Sequence, residues 1–136
     1  MTSHDGRVAS AHLDGGDAKY AQTIRVGRHT LVADEPAALG GGDAGPPPYG
    51  LLVAALAACT SITLRMYADR KGWELGALHV DVVLVRDQDV ERVERTVRVA
   101  PTVSPEQRAR LAEIAEKTPV TKTLARAMAI ATTFAS

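Results

Sequence analysis

From Tyr49 to Lys71 the chain reads YGLLVAALAACTSITLRMYADRK, and no other feature limits its fold as much. Leu, Ala, Met and Arg dominate, Pro46, Pro47 and Pro48 stand just before, and Gly72 follows as a C-cap, so every local preference is helical. The first half of this helix is apolar on all sides, and a helix apolar all round must be covered all round. Ala54, Ala55, Ala57 and Ala58 would let another backbone approach closely, whereas RMYADRK regains a polar face. A chain of 136 residues supplies one core and is too short for a second. It has difficulty enclosing such a helix alone, and a second copy with the two helices side by side would solve the problem.

The flanking segments alternate. RVASAHLD, KYAQTIRV and HTLVAD, separated by GGDA and VGR, predict an antiparallel meander of three strands. AALGGGDAGPPP is too rich in Gly and Pro for helix or central strand and is expected as a loop. Beyond Gly72, ALHVDVVLVRD and VERTVRVAP predict a hairpin with QDVE between its strands. Ser104 as N-cap, Pro105 at the first helical position and Gln107 in a capping box open a second helix, which Pro119 ends. VTKTLAR suggests a further helical turn and AMAIATTF a closing strand. The order β-β-β-α-β-β-α-β is that of an α+β fold in a single domain over residues 1–136, with helices covering mostly antiparallel sheet.

Composition narrows the partners. Sixteen basic residues balance sixteen acidic ones, and no basic face is clustered, which gives no electrostatic reason to expect nucleic acid. The N-terminus lacks the apolar core of a secretory signal, and no stretch reads as an unbroken apolar span of about 20 residues, so a cytoplasmic protein without a membrane partner is expected. One cysteine cannot form an internal disulfide.

That cysteine, Cys59, carries the candidate chemistry. A lone cysteine in an alanine-rich helix reads as inert core on composition alone. A reactive one needs its pKa lowered from about 8.5, and neither its neighbours Ala55, Ala58 and Ile62 nor the helix dipole supplies the charge, so a strand would have to provide an arginine. His29 and His79 fall in expected strands, His4 and His12 near the terminus, and none has a partner at ligand spacing; no metal or other cofactor is implied. GGGDAGPPP lacks the Lys-Ser/Thr ending of a phosphate loop and reads as a pocket rim. Asp34 and Glu35 read as an exposed acidic pair; Tyr49, Met66, Tyr67 and Trp73 read as core or pocket wall.

The run DEP…GGGDAGPPPYGLLVAALAACTSITLRMYADRKGW, then a hairpin, SPEQRARLAEIAEKTPVTKTL and a final strand resembles the OsmC/Ohr family of osmotically inducible and organic-hydroperoxide-resistance proteins, over about Tyr20 to Thr132. The resemblance implies an intertwined homodimer with antiparallel sheets packed around a long central helix. It also implies that Cys59 matches the peroxidatic cysteine, whose thiolate attacks a hydroperoxide before a second cysteine, in a Cys-Pro motif, closes a disulfide. This chain departs from the pattern. Thr118-Pro119 stands where the family has Cys-Pro, Tyr49 or Gly50 where it has its catalytic glutamate, and GGDAK where it has an arginine turn, which leaves Lys19, Arg25 or Arg28 as candidate cations.

Three functions are compatible with that pattern. One is thiol-dependent, peroxiredoxin-like reduction of organic hydroperoxides in oxidative stress defence, with Cys59 resolved by an external thiol reductant. Another is a non-catalytic dimer with a pocket for a lipid-like or other small apolar ligand, at Tyr49, Gly50 and Thr118. The third is a redox sensor in which a low-molecular-weight thiol caps Cys59.

Overall fold

The computed structural model describes residues 6–135, and His4 lies outside them. The chain divides into two compact units, one running to Leu52 and one from Val53 onward.

The first unit is the expected meander. β1 (His12–Asp14), β2 (Gln22–Val26) and β3 (His29–Ala33) form an antiparallel sheet in the order β1-β2-β3, with Leu13 opposite Ile24 and Ile24 opposite Leu31. Only the last three residues of RVASAHLD become strand. A 3-10 turn (Ala37–Leu39) opens the Gly- and Pro-rich loop.

Asp34 organises this loop and corrects the expectation of an exposed acidic pair: it is only 3% exposed. Its carboxylate accepts the backbone N–H groups of Glu35 at 2.7 Å, Ala44 at 3.0 Å and Gly42 at 3.2 Å, so the irregular backbone is satisfied by one side chain. The bonds from Ala44, Glu35 and Gly42 hold its pKa below the usual carboxylate value, against the opposing effect of burial. At Gly45 any Cβ would collide with the Val32 carbonyl, which is why the loop needs glycine there.

α1 (Pro48–Lys71) begins in the first unit and runs through the second. It ends in a Schellman motif. Trp73 N–H donates to the Ala68 carbonyl at 2.9 Å and Gly72 N–H to that of Asp69 at 3.2 Å, with Gly72 at φ +72°. Leu56, Thr60, Leu64 and Ala68, at i, i+4 spacing, form its buried face. On another face Ala55, Ala58, Ile62 and Met66 are exposed, Ile62 at 58% and Met66 at 53%. Contrary to the sequence reading, α1 is long and apolar enough to cross a bilayer by length and composition, a test that core helices also pass, and its buried face is packed against protein.

The rest of the second unit follows. β4 (His79–Asp87) and β5 (Val90–Arg98) pair antiparallel. The predicted QDVE connection is shorter than expected, because Asp87 lies opposite Val90 and only Gln88 and Asp89 turn, both at positive φ (49° and 71°). α2 (Pro105–Ala115) carries the capping box: Gln107 N–H donates to Ser104 Oγ at 3.1 Å, and Ser104 N–H to Gln107 Oε1 at 3.0 Å. α3 (Pro119–Leu124) takes Thr118 as its N-cap, so Pro119 starts this helix while α2 has already closed at Glu116. Leu64, Ala68, Leu75, Val103, Leu111 and Ala115 make the core, with Tyr67, Trp73, Val97 and Ile114 packed against it.

The predicted closing strand does not form. Residues 127–135 pair with no described strand, and Met128, Ile130 and Phe134 are 65%, 88% and 96% exposed. An extended segment becomes strand only when a neighbour takes up its backbone groups, and this one pairs with no strand among the described residues.

Candidate functional site

Three segments of the second unit converge on Cys59. α1 brings Cys59, Thr60 and Thr63; β5 brings Arg95; and the link from α2 into α3 brings Ala115, Thr118, Val120 and Thr121.

Cys59 is partly buried and not in a disulfide. Its Sγ lies 3.8 Å from Thr63 Oγ1, one helical turn away. Partial burial pushes the thiol pKa up. Hydrogen bonds from the Val120 backbone N–H, the Thr118 hydroxyl and the Thr63 hydroxyl, together with the positive charge of Arg95, outweigh that effect and hold the pKa below the ordinary cysteine value. The positive charge among these groups comes from Arg95 in β5, not from the candidate cations Lys19, Arg25 or Arg28.

Arg95 is held at both terminal nitrogens. Nη1 donates to Thr60 Oγ1 at 3.0 Å and to Thr121 Oγ1 at 2.8 Å, and Nη2 donates to the Ala115 carbonyl at 2.9 Å and reaches Glu116 Oε2 at 3.4 Å. The side chain is 12% exposed, against 76% for Glu116, so the ion pair sits at the rim while the guanidinium faces inward. Burying an arginine is tolerable only when its donors are matched, and here neutral oxygens match most of them.

Thr118 is fully buried. Its Oγ1 accepts the Thr121 N–H at 3.2 Å, the N-cap bond of α3, and lies 2.6 Å from Thr121 Oγ1. Thr118 also lowers the Cys59 pKa as a hydroxyl hydrogen-bond partner, and it stands where the resemblance expects a second thiol. Tyr49, 54% exposed, and Gly50 lie in the first turn of α1, in the first unit. Arg25 in β2, opposite His12 and Thr30, and Arg28 in the β2–β3 turn also belong to the first unit, as does Lys19.

Arg95 is the residue that reading the sequence missed. It carried a signal: in VERTVRV the positions 93, 95, 97 and 99 share one face of the strand, and arginine interrupts a series otherwise made of valine. Charge on the apolar phase of a strand implies a buried partner. Among the described residues no group of His, Cys, Asp and Glu could hold a metal ion.

These elements make an α+β fold in which one long apolar helix carries a cysteine among hydroxyl and arginine donors. The chain is a member of the OsmC family: the model for OsmC-like protein matches residues 40–133. Its fold is shared with an OsmC-like protein from Mycoplasma pneumoniae (TM-score 0.74, 17% identity, covering 88% of each chain). It is shared too with an organic hydroperoxide resistance protein from Elizabethkingia anophelis (0.64, 20%, covering 86% of this chain and 87% of that one). The organic hydroperoxide resistance protein OhrB of Bacillus subtilis is 25% identical over 86% of this chain and 90% of its own, at TM-score 0.57. No curated protein matches the sequence.

Proposed function

We propose that the protein reduces organic hydroperoxides through Cys59, as a homodimer in the cytoplasm, and that an external thiol resolves the oxidised cysteine. The observation that carries this reading is the convergence of Val120 N–H, the Thr118 and Thr63 hydroxyls and Arg95 on one sulfur. These groups favour a thiolate, which is the nucleophile that peroxide chemistry needs.

In the step proposed, the Cys59 thiolate attacks the terminal oxygen of the hydroperoxide. An S–O bond forms, the O–O bond breaks, and the alkoxide leaves and takes up a proton to become an alcohol. Cys59 is then a sulfenic acid. The chain has no second cysteine, so an external thiol attacks the sulfenic sulfur, releases water and forms a mixed disulfide. A second external thiol returns Cys59 to the thiolate.

Purified protein with cumene hydroperoxide and dithiothreitol is expected to consume peroxide catalytically, and Cys59→Ser is expected to abolish turnover. A sulfenic-acid probe should label Cys59 after peroxide treatment. An unlabelled Cys59 together with no turnover would overturn the reading.

A cavity of about 260 Å³ supports the alternative of a small-ligand binder. It has Leu64, Val97, Val99 and Leu111 on its walls and Arg95 and Arg108 among its polar groups, and Cys59 is not among its lining residues. Native mass spectrometry of freshly isolated protein would show a retained ligand under that alternative and an empty dimer under the peroxidase reading.

A further inference from the structure

The cavity between α1, β5 and α2 lies wholly within the second unit, and Cys59 does not line it. Leu64 from α1, Val97 from β5 and Leu111 from α2 give it apolar walls, and Leu64 and Leu111 are themselves buried. Apolar walls alone would accept any small oily molecule. Two arginines in the lining, Arg95 and Arg108, narrow the choice.

Their donors are only partly used. Arg95 Nη1 serves Thr60 and Thr121, and Nη2 serves the Ala115 carbonyl and Glu116, while Nε–H meets no acceptor among the described residues. Among those residues no side-chain nitrogen is both sealed from solvent and unpaired, so the Arg95 Nε–H opens on accessible space. Arg108 Nε donates to the Val103 carbonyl at 3.0 Å and Nη2 to the Ala100 carbonyl at 2.8 Å. These two bonds orient the guanidinium and leave Nη1 without an acceptor among the described residues.

Charge sets the sign of the occupant. Two arginines against one glutamate leave the lining an excess of one positive charge beside apolar wall, where an ion pair is screened less than on open surface. Glu116 meets this charge poorly, because its side chain is 76% exposed and its 3.4 Å contact is the longest that the Arg95 guanidinium makes. The volume of about 260 Å³ lies just below the range of about 300–1,000 Å³ that holds drug-sized ligands, so the occupant is small.

We infer that this cavity is a binding site for a small monocarboxylate with an apolar body, its carboxylate pairing with Arg95 and Arg108 and its hydrocarbon lying against Leu64, Val97 and Leu111. A guanidinium suits that role because its planar fork of N–H groups matches the two oxygens of a carboxylate. Arg108 and Glu116 are exposed, so the occupant exchanges with solvent, unlike a ligand retained through isolation. The site stands whether or not Cys59 turns over peroxide.

The experiment titrates the isotope-labelled full chain with hexanoate at constant pH and ionic strength and follows the backbone amide resonances. Hexanoate is expected to bind saturably, with the largest shifts at Val97, Leu111 and their neighbours. Hexanamide keeps the shape without the charge, and acetate keeps the charge without the chain; both are expected to bind much more weakly. Arg108→Gln should weaken hexanoate about tenfold or more, the scale of a hydrogen bond to a charged group. Glu116→Gln should bind hexanoate more tightly than the native protein, since the carboxylate that competes for Arg95 is gone. Because Glu116 is largely exposed, that variant decides the matter if Arg108→Gln does not fold.

Absence of saturable hexanoate binding would overturn the site. So would hexanamide or acetate binding as tightly as hexanoate, shifts centred away from the cavity, or native affinity in both variants. Peroxide consumption is measured apart from this titration, so either reading can fail without the other.

Discussion

Arg95 Nη1 lies 3.0 Å from the hydroxyl of Thr60, the residue next to Cys59 in α1, so a side chain from the middle of β5 is fastened to the turn of helix that carries the thiol. The same guanidinium reaches the end of α2 and the first turn of α3. One arginine thus joins the helix, the hairpin and the α2–α3 link at the point where the sulfur sits.

Replacing Arg95 by Met keeps the approximate length of the side chain and removes every donor. Thr60, Thr121 and the Ala115 carbonyl then lose a partner in a partly buried setting, and a destabilisation of about 1–3 kcal/mol is expected from urea unfolding. Cys59 should also alkylate more slowly at neutral pH, since the positive charge that favours its thiolate is gone. Arg95→Lys is not expected to restore either property, because a single ammonium cannot meet Thr60, Thr121 and Ala115 in the fork geometry of a guanidinium.

Asp34 links stability of the first unit to acid. Its folded pKa lies below the ordinary 3.8, so its contribution is fully present above that value and is lost as the pH falls through the folded pKa. Asp34→Asn retains one carbonyl acceptor but no charge. It should be less stable than the native protein at neutral pH, and the difference between the two should shrink in strong acid, as measured by thermal unfolding across that range.

Much of this could be read from residues alone, because the signals were local. Pro46 to Pro48 and Gly72 bracket α1, and Ser104, Pro105 and Gln107 announce α2; each works through backbone groups a few residues away. The tight turn at Gln88 and Asp89 was hidden, since two residues at positive φ are normally Asn or Gly and this pair gave no such sign. AMAIATTF has the alternation of a strand but pairs with no strand among the described residues. For the site, Cys59 and Thr118 were legible from the family pattern, and the need for an arginine from a strand was legible from the lack of charge around Cys59. Which arginine was not, because Arg95 meets Thr60 across 35 residues of sequence.

The capping box of α2 gives a measurement independent of the site. Ser104→Ala removes the acceptor for the Gln107 N–H. A loss of about 0.5–2 kcal/mol is expected in urea unfolding. Ser104→Asp should recover most of it, since aspartate is also a strong N-cap.

The exposed face of α1 bears on assembly. Ile62 and Met66 lie one turn apart and are both more than half exposed, beside Ala55 and Ala58, whose small side chains allow close approach of another helix. An apolar face of this kind on a folded chain marks an interaction surface, and the proposed homodimer would cover it with the same face of a second copy. In a two-fold pairing each substitution appears twice. Ile62→Glu therefore places two carboxylates in one interface while touching little within the chain. Sedimentation equilibrium is expected to give a dimer for the native protein and a monomer for Ile62→Glu at the same concentration, with the far-ultraviolet circular dichroism unchanged. A native protein that sediments as a monomer would remove the homodimer from the proposal, whatever the peroxide assay shows.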